Sequence, residues 1–248
     1  MPKKIIAFIL THNCGHMLEK AYKKIPKNLV YRIIVSDDLS SDNANLVAKK
    51  LGLDFFTNPG FKGYGGNIKS AIKKSFELGA DYAVEIHGDG AQFDPIAIRD
   101  AIKYIDTDYD LILGSRFIIK GLARKNGMPL IRYYANIGLS FFDRIVLNLP
   151  LTEFHTGFRV YSKNFYETLP IIKNSNDYLF SFEVIAQASY FNLKVAEVPV
   201  EADYHSEHTS HSILGASVYA IKTFYILLIY LLAKFKIYYS PIFPKKHS

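Results

Sequence analysis

Short apolar runs alternate with amphipathic segments over the first 116 residues. The apolar runs have strand length and cover Ile5–Leu10, Tyr31–Val35, Leu53–Thr57, Tyr82–Ile86 and Leu111–Leu113. The segments with helical periodicity between them cover roughly Gly15–Lys24, Asp42–Leu51, Gly66–Leu78 and Pro95–Ile105. Alternation of strands and helices at this spacing predicts an α/β fold with a mostly parallel, doubly wound, Rossmann-like sheet flanked by helices.

The second half of the chain has a less regular pattern. It predicts helices at Pro129–Leu147 and near Phe180–Tyr190, and strands at Gly157–Tyr161 and Val195–Val200. Residues 203–212 are polar and rich in histidine with little periodicity, so we expect a loop there.

The C-terminal segment has a different composition from the rest. Within Tyr219–Tyr239 an uninterrupted apolar run, Phe224–Ala233, holds ten residues, whereas about 20 are needed to span a bilayer. The flanking lysines are Lys222, Lys234 and Lys236. This pattern is typical of a helix lying in a membrane interface, and a core or dimer-interface helix is the alternative. The sequence thus predicts a catalytic domain at 1–212 and an interfacial segment with a basic tail at 213–248.

Composition narrows the partners and the compartment. The net charge of +7 favours anionic partners such as nucleotide phosphates or an acidic membrane surface. Nucleic acid is not expected, because the lysines are scattered and no nucleic-acid-binding signature is present. Cys14 is the single cysteine and excludes an intramolecular disulfide, and the first apolar run is too short for a secretory signal. We therefore expect a reducing compartment.

Polar side chains follow each of the first five apolar runs. They are Thr11, His12, Asn13, Asp37, Asp38, Asn58, His87, Asp89, Ser115 and Arg116. Ligands of doubly wound sheets bind at the carboxyl ends of the strands. The pattern predicts one ligand site at this edge of the sheet.

Residues 81–95 contain the most informative of these strand ends. His87 and Asp89 are two residues apart and are able to face one ligand, and Gly90 allows a sharp turn before Gln92. A carboxylate with imidazole and hard-oxygen neighbours suits Mg²⁺ or Mn²⁺. An ordinary Asp-Gly turn is the alternative.

Other motifs suit phosphates. Glycines after Lys62, beginning at Gly63, open a predicted helix whose N-terminal amides favour an anion, but the spacing matches neither the phosphate loop nor the dinucleotide fingerprint. Asp38 is able to accept hydrogen bonds from a base or ribose, although helix capping alone would also explain an acidic residue there. The three arginines together provide more phosphate-binding capacity than one nucleotide requires; they are Arg116, Arg132 and Arg159.

These motifs together resemble the family 2 glycosyltransferases of GT-A fold, in the branch of dolichyl-phosphate mannose synthase and other polyprenyl-phosphate glycosyltransferases. The matching segments are Thr11-His12-Asn13, Asp37-Asp38-x-Ser-x-Asp42, Gly63-Tyr64-Gly65-Gly66, His87-Gly-Asp89-Gly…Gln92-Phe-Asp-Pro95, Gly114-Ser115-Arg116, His155-Thr-Gly-Phe-Arg159 and Glu197-Val-Pro-Val200. Their order and spacing match the family over about residues 3–212.

The resemblance implies roles for individual residues. Catalytic roles fall to Asp89 and Arg116, and metal binding to Asp89 with His87 and Gln92. The implied donor-binding set is Thr11, His12, Asn13, Asp38, Lys62, Gly63, Asp89, Gln92 and Arg116. The implied acceptor-phosphate set is Arg132, Asn136, Arg159, His205, Ser210 and His211.

The sequence also departs from the family pattern. His87 stands where the family usually has Asp, and Ala91 is an extra residue before Gln92. Cys14 stands where a Glu is common, and histidines replace basic residues in the acceptor loop, so its grip on phosphate could depend on pH.

The implied function is a metal-dependent, inverting transfer of sugar from a UDP- or GDP-linked donor to a polyprenyl phosphate. Mn²⁺ or Mg²⁺ is the implied cofactor, and the cytoplasmic face of a membrane is the implied location for a peripheral enzyme. A homo-oligomer or a membrane partner is compatible with the sequence. Two alternatives stay open: a hydroxyl acceptor, with Glu153 or Glu183 as general base, and a non-catalytic sugar-nucleotide-binding protein.

Overall fold

The computed structural model describes residues 2–90, 92–204 and 213–246. The predictions for Ala91, His205, Ser210 and His211 lie outside the described residues, as does most of the predicted histidine-rich loop.

Strands and helices alternate in the predicted order. The strands are β1 (Ile5–Thr11), β2 (Arg32–Asp37), β3 (Asp54–Thr57), β4 (Tyr82–His87), β5 (Leu111–Ser115), β6 (Arg159–Ser162) and β7 (Val195–Pro199). The α-helices are α1 (Gly15–Lys24), α2 (Ala44–Lys50), α3 (Gly63–Glu77), α4 (Ile98–Ile105), α5 (Leu122–Lys125), α6 (Leu130–Leu147), α7 (Lys163–Thr168), α8 (Phe180–Tyr190) and α9 (Ile213–Lys234). Short 3₁₀ turns lie at Lys27–Leu29, Pro95–Ala97 and Ile171–Lys173.

Seven strands of the described chain form one sheet in the order β3-β2-β1-β4-β6-β5-β7. Only β6 among these strands runs antiparallel to its neighbours, β4 and β5. The predicted mostly parallel sheet is thus confirmed. The switch of direction at β6 places its first residue, Arg159, opposite Glu85 of β4.

The third helix begins at Gly63, where the glycine motif starts and three residues before the start that the helical periodicity predicts. The Asp38 carboxylate accepts hydrogen bonds from the backbone nitrogens of Lys62 (2.9 Å) and Gly63 (2.8 Å), which satisfies amides that the helix leaves unpaired. Gly63 adopts a φ of 74°, a value that glycine reaches without steric cost. The helix therefore starts where the sheet's ligand edge supplies an acceptor.

Two hydrophobic clusters cover the faces of the sheet. Alternate residues of β1 point to opposite sides, so Ile6 and Phe8 pack in one cluster and Ala7 and Ile9 in the other. Helices α3, α8 and α9 cover the first face, and α1 and α4 cover the second. The core thereby holds the carboxyl ends of β1, β2 and β4 at one edge.

Helix α9 is both a core element and an exposed apolar surface. It packs against α8 and α6 and places Tyr230 and Ala233 in the core. On its other side Ile221 is 70% exposed. The window Ser217–Lys234 has a mean hydropathy of 1.4, and within the described residues it is the one helix apolar and long enough to cross a membrane. The division of the chain at residue 213 stays a prediction.

Candidate active site

A cavity of about 580 Å³ opens at the carboxyl ends of β1, β2 and β4. Of the residues that the sequence singled out, those lining it are Thr11, His12, Asp38, Gly63, His87, Asp89, Gln92 and Arg159. Those that lie elsewhere in the described chain are Asn13, Lys62, Arg116, Arg132 and Asn136. The predicted edge of the sheet thus carries the cavity, while part of the predicted set is not in its lining.

An aromatic pair marks the open end of the cavity. The rings of His12 and Phe61 lie 5.1 Å apart, and Phe61 is 66% exposed. His12 Nδ1 is 2.7 Å from the carbonyl oxygen of Asp38, which orients its ring. A flat group such as a nucleobase fits against these two rings.

Asp38 is buried, and its carboxylate is occupied by the protein. In addition to the two backbone amides at the start of α3, it accepts a hydrogen bond from Asn58 Nδ2 at 3.1 Å. Asp38 therefore shapes the wall of the cavity in this structure. Two other predicted donor residues are not in the cavity lining: Asn13 Oδ1 accepts from Ser41, and Lys62 Nζ donates to Ser70 Oγ at 3.1 Å.

Asp89 lies just beyond the end of β4, where the backbone passes close to β1. A side chain at Gly88 would place its Cβ only 2.3 Å from the carbonyl oxygen of Leu10. Only glycine fits there, and this close approach brings Asp89 to the cavity wall. Gln92 lines the same cavity.

His87 belongs to a buried hydrogen-bonded cluster below Asp89. Its Nε2 lies 3.2 Å from Glu85 Oε1 and 3.1 Å from Tyr64 Oη. The other Glu85 oxygen accepts from Tyr161 Oη at 2.6 Å. Burial alone would lower the pKa of His87, but the hydrogen bond and charge of Glu85 raise it overall. Nε2 is thus engaged by the protein, which leaves Nδ1 for any ligand.

Arg159 is a buried charged side chain in the lining of the cavity. It is 1% exposed, and none of its three guanidinium nitrogens has a hydrogen-bond partner within the described chain. Burial alone would lower the pKa of Arg159, but the neighbouring phenols and Glu85 raise it, so the side chain stays charged.

Asp143, His155 and Tyr219 form a row of largely buried polar side chains between α6 and α9. His155 Nε2 lies 3.0 Å from Asp143 Oδ2 of α6, and His155 Nδ1 lies 3.3 Å from the hydroxyl of Tyr219 in α9. His155 and Tyr219 both line the cavity.

Arg116 forms a separate cluster with Glu153, Tyr204 and Arg132, which we call the arginine cluster. Glu153 Oε1 accepts from Arg116 Nε at 2.8 Å and also from Nη2, and Oε2 accepts from the Arg116 amide at 2.7 Å. Arg116 Nη1 donates to Tyr204 Oη at 2.7 Å. Burial alone would lower the pKa of Arg116, but Glu153 raises it strongly. The positive charge of Arg132 reaches Tyr204 as well and acts to lower that tyrosine's pKa, although burial raises it overall.

Comparison with known proteins decides the family. Residues 6–169 match the model of glycosyl transferase family 2, which is more than half of the chain. The chain belongs to this family.

Two curated relatives extend this assignment. One is the UDP-N-acetylglucosamine–dolichyl-phosphate N-acetylglucosaminyltransferase of Methanococcus voltae. It is 29% identical over an aligned length of 255 residues, and the match covers 94% of this chain and 99% of that protein. An undecaprenyl-phosphate mannosyltransferase of Micrococcus luteus is 26% identical over 160 residues, which cover 63% of this chain and 64% of that protein.

A solved structure confirms the GT-A fold. Glucosyl-3-phosphoglycerate synthase from Mycobacterium tuberculosis, in complex with Mn²⁺, UDP and glucosyl-3-phosphoglycerate, superimposes with a TM-score of 0.64. The match covers 96% of this chain and 82% of that chain at 15% sequence identity. This family 2 glycosyltransferase thus has the fold that its motifs predict.

The predicted metal-ligating side chains of this glycosyltransferase suit a metal ion that is bound jointly with a diphosphate. Among the described residues no group of three histidine, cysteine or acidic side chains is placed to hold a metal alone. Mg²⁺ typically takes one or two carboxylates and completes its shell with water and substrate phosphates. The Asp89 carboxylate with the Gln92 amide beside it fits this mode, whereas His87 has one nitrogen already engaged.

Sequence reasoning missed several cavity residues. Phe61 directly precedes the glycine motif, so its position beside a ligand loop was a usable signal. Tyr64 lies within that motif and donates to Glu85 at 2.7 Å, but its partner sits inside a strand that reads as apolar. Tyr219 comes from the C-terminal helix, and nothing in its apolar surroundings points to the cavity.

Proposed function

We propose that this enzyme transfers a sugar from a nucleotide diphosphate donor to a polyprenyl phosphate at a membrane surface, with inversion at the anomeric carbon. The observation that carries the proposal is the placement of the arginine cluster beside α6, outside the donor cavity. Arg132 of this cluster, on a helix with an exposed apolar face, suits the phosphate of a lipid. The names of the two curated relatives support this acceptor class.

The donor would lie in the cavity with its base near His12 and Phe61. Asp89 and Gln92 would hold Mn²⁺ or Mg²⁺ together with the donor diphosphate. When bound, the metal ion neutralises the charge that develops on the leaving diphosphate. The UDP and Mn²⁺ in the M. tuberculosis structure support this class of donor and cofactor.

The acceptor phosphate would bind near Arg132, which lies close to Tyr204 and the end of β5. Phe117, just after β5, packs edge-to-face on Tyr133 of α6 with ring centres 5.5 Å apart, so strand and helix are held together. Asn136, one turn along α6, donates its amide to the Arg132 carbonyl at 2.8 Å and steadies this turn. Arg116 would act mainly by fixing Tyr204 and Glu153.

The chemistry needs no proton transfer. A phosphate oxygen of the acceptor attacks the anomeric carbon, and the bond from that carbon to the donor diphosphate oxygen breaks. The electron pair leaves with the diphosphate. Because the nucleophile is already anionic, the protein mainly has to position it and balance its charge.

A hydroxyl acceptor would need a free carboxylate as base, and neither candidate is free. Glu153 is held by Arg116, and Glu183 accepts from the Ser175 hydroxyl at 2.6 Å and from its amide at 2.8 Å. Although burial raises the pKa of Glu183, both of its oxygens face the protein. This geometry favours the phosphate acceptor.

Membrane docking is supported by two exposed apolar helix faces. On α6 the exposed residues are Leu130, Ile131, Tyr134, Ile137, Phe141, Phe142 and Ile145. On α9 they are Val218, Ile221, Phe224, Tyr225 and Leu228. The two helices pack against each other, so these residues form one surface, which we call the apolar platform. Exposed apolar area of this extent marks an interaction site, and the core residues of α9 favour a helix that lies on the bilayer.

The test is transfer of labelled sugar into an organic-extractable product. Purified enzyme would receive Mn²⁺ or Mg²⁺, a polyprenyl phosphate and labelled UDP- or GDP-sugars, with EDTA as the metal control. We expect label in the lipid phase that EDTA abolishes.

Acceptor variants sharpen this test. Arg132→Ala should raise the KM for polyprenyl phosphate by about tenfold, because a charge-assisted contact is lost, while slow donor hydrolysis continues. Lys103→Ala, at an exposed position of α4, is the matched control. No label in the lipid phase, together with metal-dependent donor binding or hydrolysis, would point to a hydroxyl acceptor, for which Glu153→Gln or Glu183→Gln should abolish transfer while donor binding survives.

A further inference from the structure

Arg159 presents hydrogen-bond donors that the described part of the protein does not use. Its three guanidinium nitrogens are buried and unpaired within the described chain, although buried polar groups in proteins nearly always have partners. The side chain lines the cavity, so a bound molecule is the available source of acceptors. The fold therefore leaves this cationic group poised for a ligand.

Charge balance indicates what kind of group the ligand offers. Glu85 lies opposite Arg159 in the sheet and balances its charge from the neighbouring strand. The Glu85 oxygens take their hydrogen bonds from Tyr64, His87 and Tyr161. Within the residues that the structure describes, Arg159 thus has a counter-charge but no hydrogen-bond acceptor. Neutral oxygens, such as hydroxyl or amide carbonyl oxygens, meet this need without adding negative charge.

Tyr219 supplies the complementary acceptor. A carboxylate accepts hydrogen bonds, so Asp143 holds the Nε2 proton of His155, and in the tautomer that carries this proton alone Nδ1 is an acceptor. The Tyr219 hydroxyl then donates to Nδ1, and its lone pairs remain for a ligand in the cavity. Burial raises the pKa of Tyr219 well above its usual range, so this proton stays in place.

Depth in the cavity places both residues at the sugar end of a donor. The aromatic pair of His12 and Phe61, against which a nucleobase fits, is at the exposed mouth of the cavity. Asp89 follows the end of β4. Arg159 lies opposite Glu85 of β4, which precedes Asp89 by four residues in the sequence. A nucleotide sugar that runs inward from the mouth past Asp89 would bring its sugar to Arg159 and Tyr219.

We infer that Arg159 and Tyr219 form the recognition subsite for the transferred sugar, and that they read neutral oxygens of that sugar. Arg159 donates to a hydroxyl or acetamido oxygen, and Tyr219 accepts from a sugar hydroxyl. The inference rests on the proposed function, because a nucleotide sugar must occupy the cavity. It also makes α9, the apolar C-terminal helix, a contributor to donor specificity.

The test compares the binding of a nucleotide with that of its sugar conjugate. Isothermal titration calorimetry with Mn²⁺ would measure UDP against UDP-N-acetylglucosamine, and GDP against GDP-mannose. The variants are Tyr219→Phe and Arg159→Lys. Their matched controls are Tyr225→Phe, at an exposed position of the same helix, and Arg99→Lys, at an exposed position of α4.

We expect Tyr219→Phe to weaken binding of the preferred nucleotide sugar by about 3–10-fold and Arg159→Lys by about tenfold or more. Binding of the sugar-free nucleotide should stay unchanged in both variants, and the controls should match the wild type. This split separates sugar recognition from a structural role, which would weaken both ligands together. If Arg159→Lys does not fold, Tyr219→Phe decides alone.

Three outcomes overturn the inference. The first is nucleotide-sugar binding by Tyr219→Phe that equals the wild type while sugar-free nucleotide also binds, which leaves the proposed function intact. The second is tighter binding of UDP-glucuronic acid than of UDP-N-acetylglucosamine that depends on Arg159, which would assign the subsite to a carboxylate. The third is a wild-type enzyme that binds none of these nucleotides, which overturns the proposed function as well.

Discussion

The two buried arginines near the site have opposite surroundings. Arg116 uses its backbone amide and all three guanidinium nitrogens on Glu153 and Tyr204, whereas Arg159 uses none of its nitrogens within the described chain. Both side chains are almost fully buried, so exposure does not explain the difference. A buried arginine whose nitrogens are all paired destabilises the protein when its partner is removed, whereas a buried arginine with unpaired nitrogens is able to donate to a ligand. The arginine that the resemblance assigns to the donor therefore has all its guanidinium nitrogens paired inside the protein, whereas Arg159 has none of them paired within the described chain.

The largest effect is expected where a satisfied pair is broken. Glu153→Ala leaves the Arg116 charge buried without its partner, which typically costs about 3–5 kcal/mol. Urea denaturation should show this loss in the free energy of unfolding. Arg159→Lys is the contrasting variant, and we expect it to cost no more than about 1–2 kcal/mol, because it keeps the charge that balances Glu85 and removes only donors that make no hydrogen bond within the described chain. Equal losses in the two variants would contradict the distinction between the arginines.

The carboxylate at the end of β4 should affect transfer rather than folding. Asp89→Asn keeps the shape of the side chain but removes its charge, so we expect sugar transfer to fall by about 10²-fold or more. The thermal midpoint should stay within a few degrees of the wild type. Asp100→Asn, at an exposed position of α4, is the control and should keep full activity.

Restoring transfer in Asp89→Asn with excess Mn²⁺ would mean that the carboxylate only raises metal affinity. A variant as active as the wild type at all metal concentrations would remove Asp89 from the site and leave Arg159 as the main charged group of the cavity.

The sequence predicts the parts of the fold that depend on local pattern. The alternation before residue 116 yields five strands and four helices within a few residues of their observed bounds, and the runs that form β1, β4 and β5 are buried on both sides. It also places Asp89 and His87 correctly at one edge. It does not predict which polar partner each side chain chooses, since Glu153 and Arg116 are 37 residues apart. Tyr219 is missed because it lies in an apolar helix, whose sequence pattern does not reveal the hydrogen bond between Tyr219 and His155.

The apolar platform provides a comparison at the surface. Ile131 of α6 and Ile221 of α9 are 78% and 70% exposed, so replacing either one costs the fold little. Ile131→Glu and Ile221→Glu should each weaken binding to anionic phospholipid vesicles by about tenfold, because apolar burial is lost and charge repulsion is added. Flotation or sedimentation with vesicles measures this.

Transfer to a short, water-soluble polyprenyl phosphate serves as the internal control, since it does not require a bilayer. Unchanged vesicle binding in both variants would exclude the apolar platform as the docking surface. A concentration-dependent dimer that the variants dissociate would assign the platform to a second copy of the chain.

The smallest effect is expected where α9 meets the rim of the cavity. Lys222 Nζ of α9 lies 2.7 Å from Asp177 Oδ2, and both side chains are about half exposed. Partial burial alone would raise the pKa of Asp177, but Lys222 and the Leu179 amide lower it overall. A carboxyl group with a lowered folded pKa stabilises the fold above its unfolded pKa, and this stability is lost as pH falls through the folded value. Because the pair is solvated, Asp177→Asn should cost less than about 1 kcal/mol at neutral pH and nothing at pH 2. Urea denaturation at both pH values, with Asp100→Asn as control, checks this, and a loss that persists at pH 2 would assign the effect to packing rather than charge.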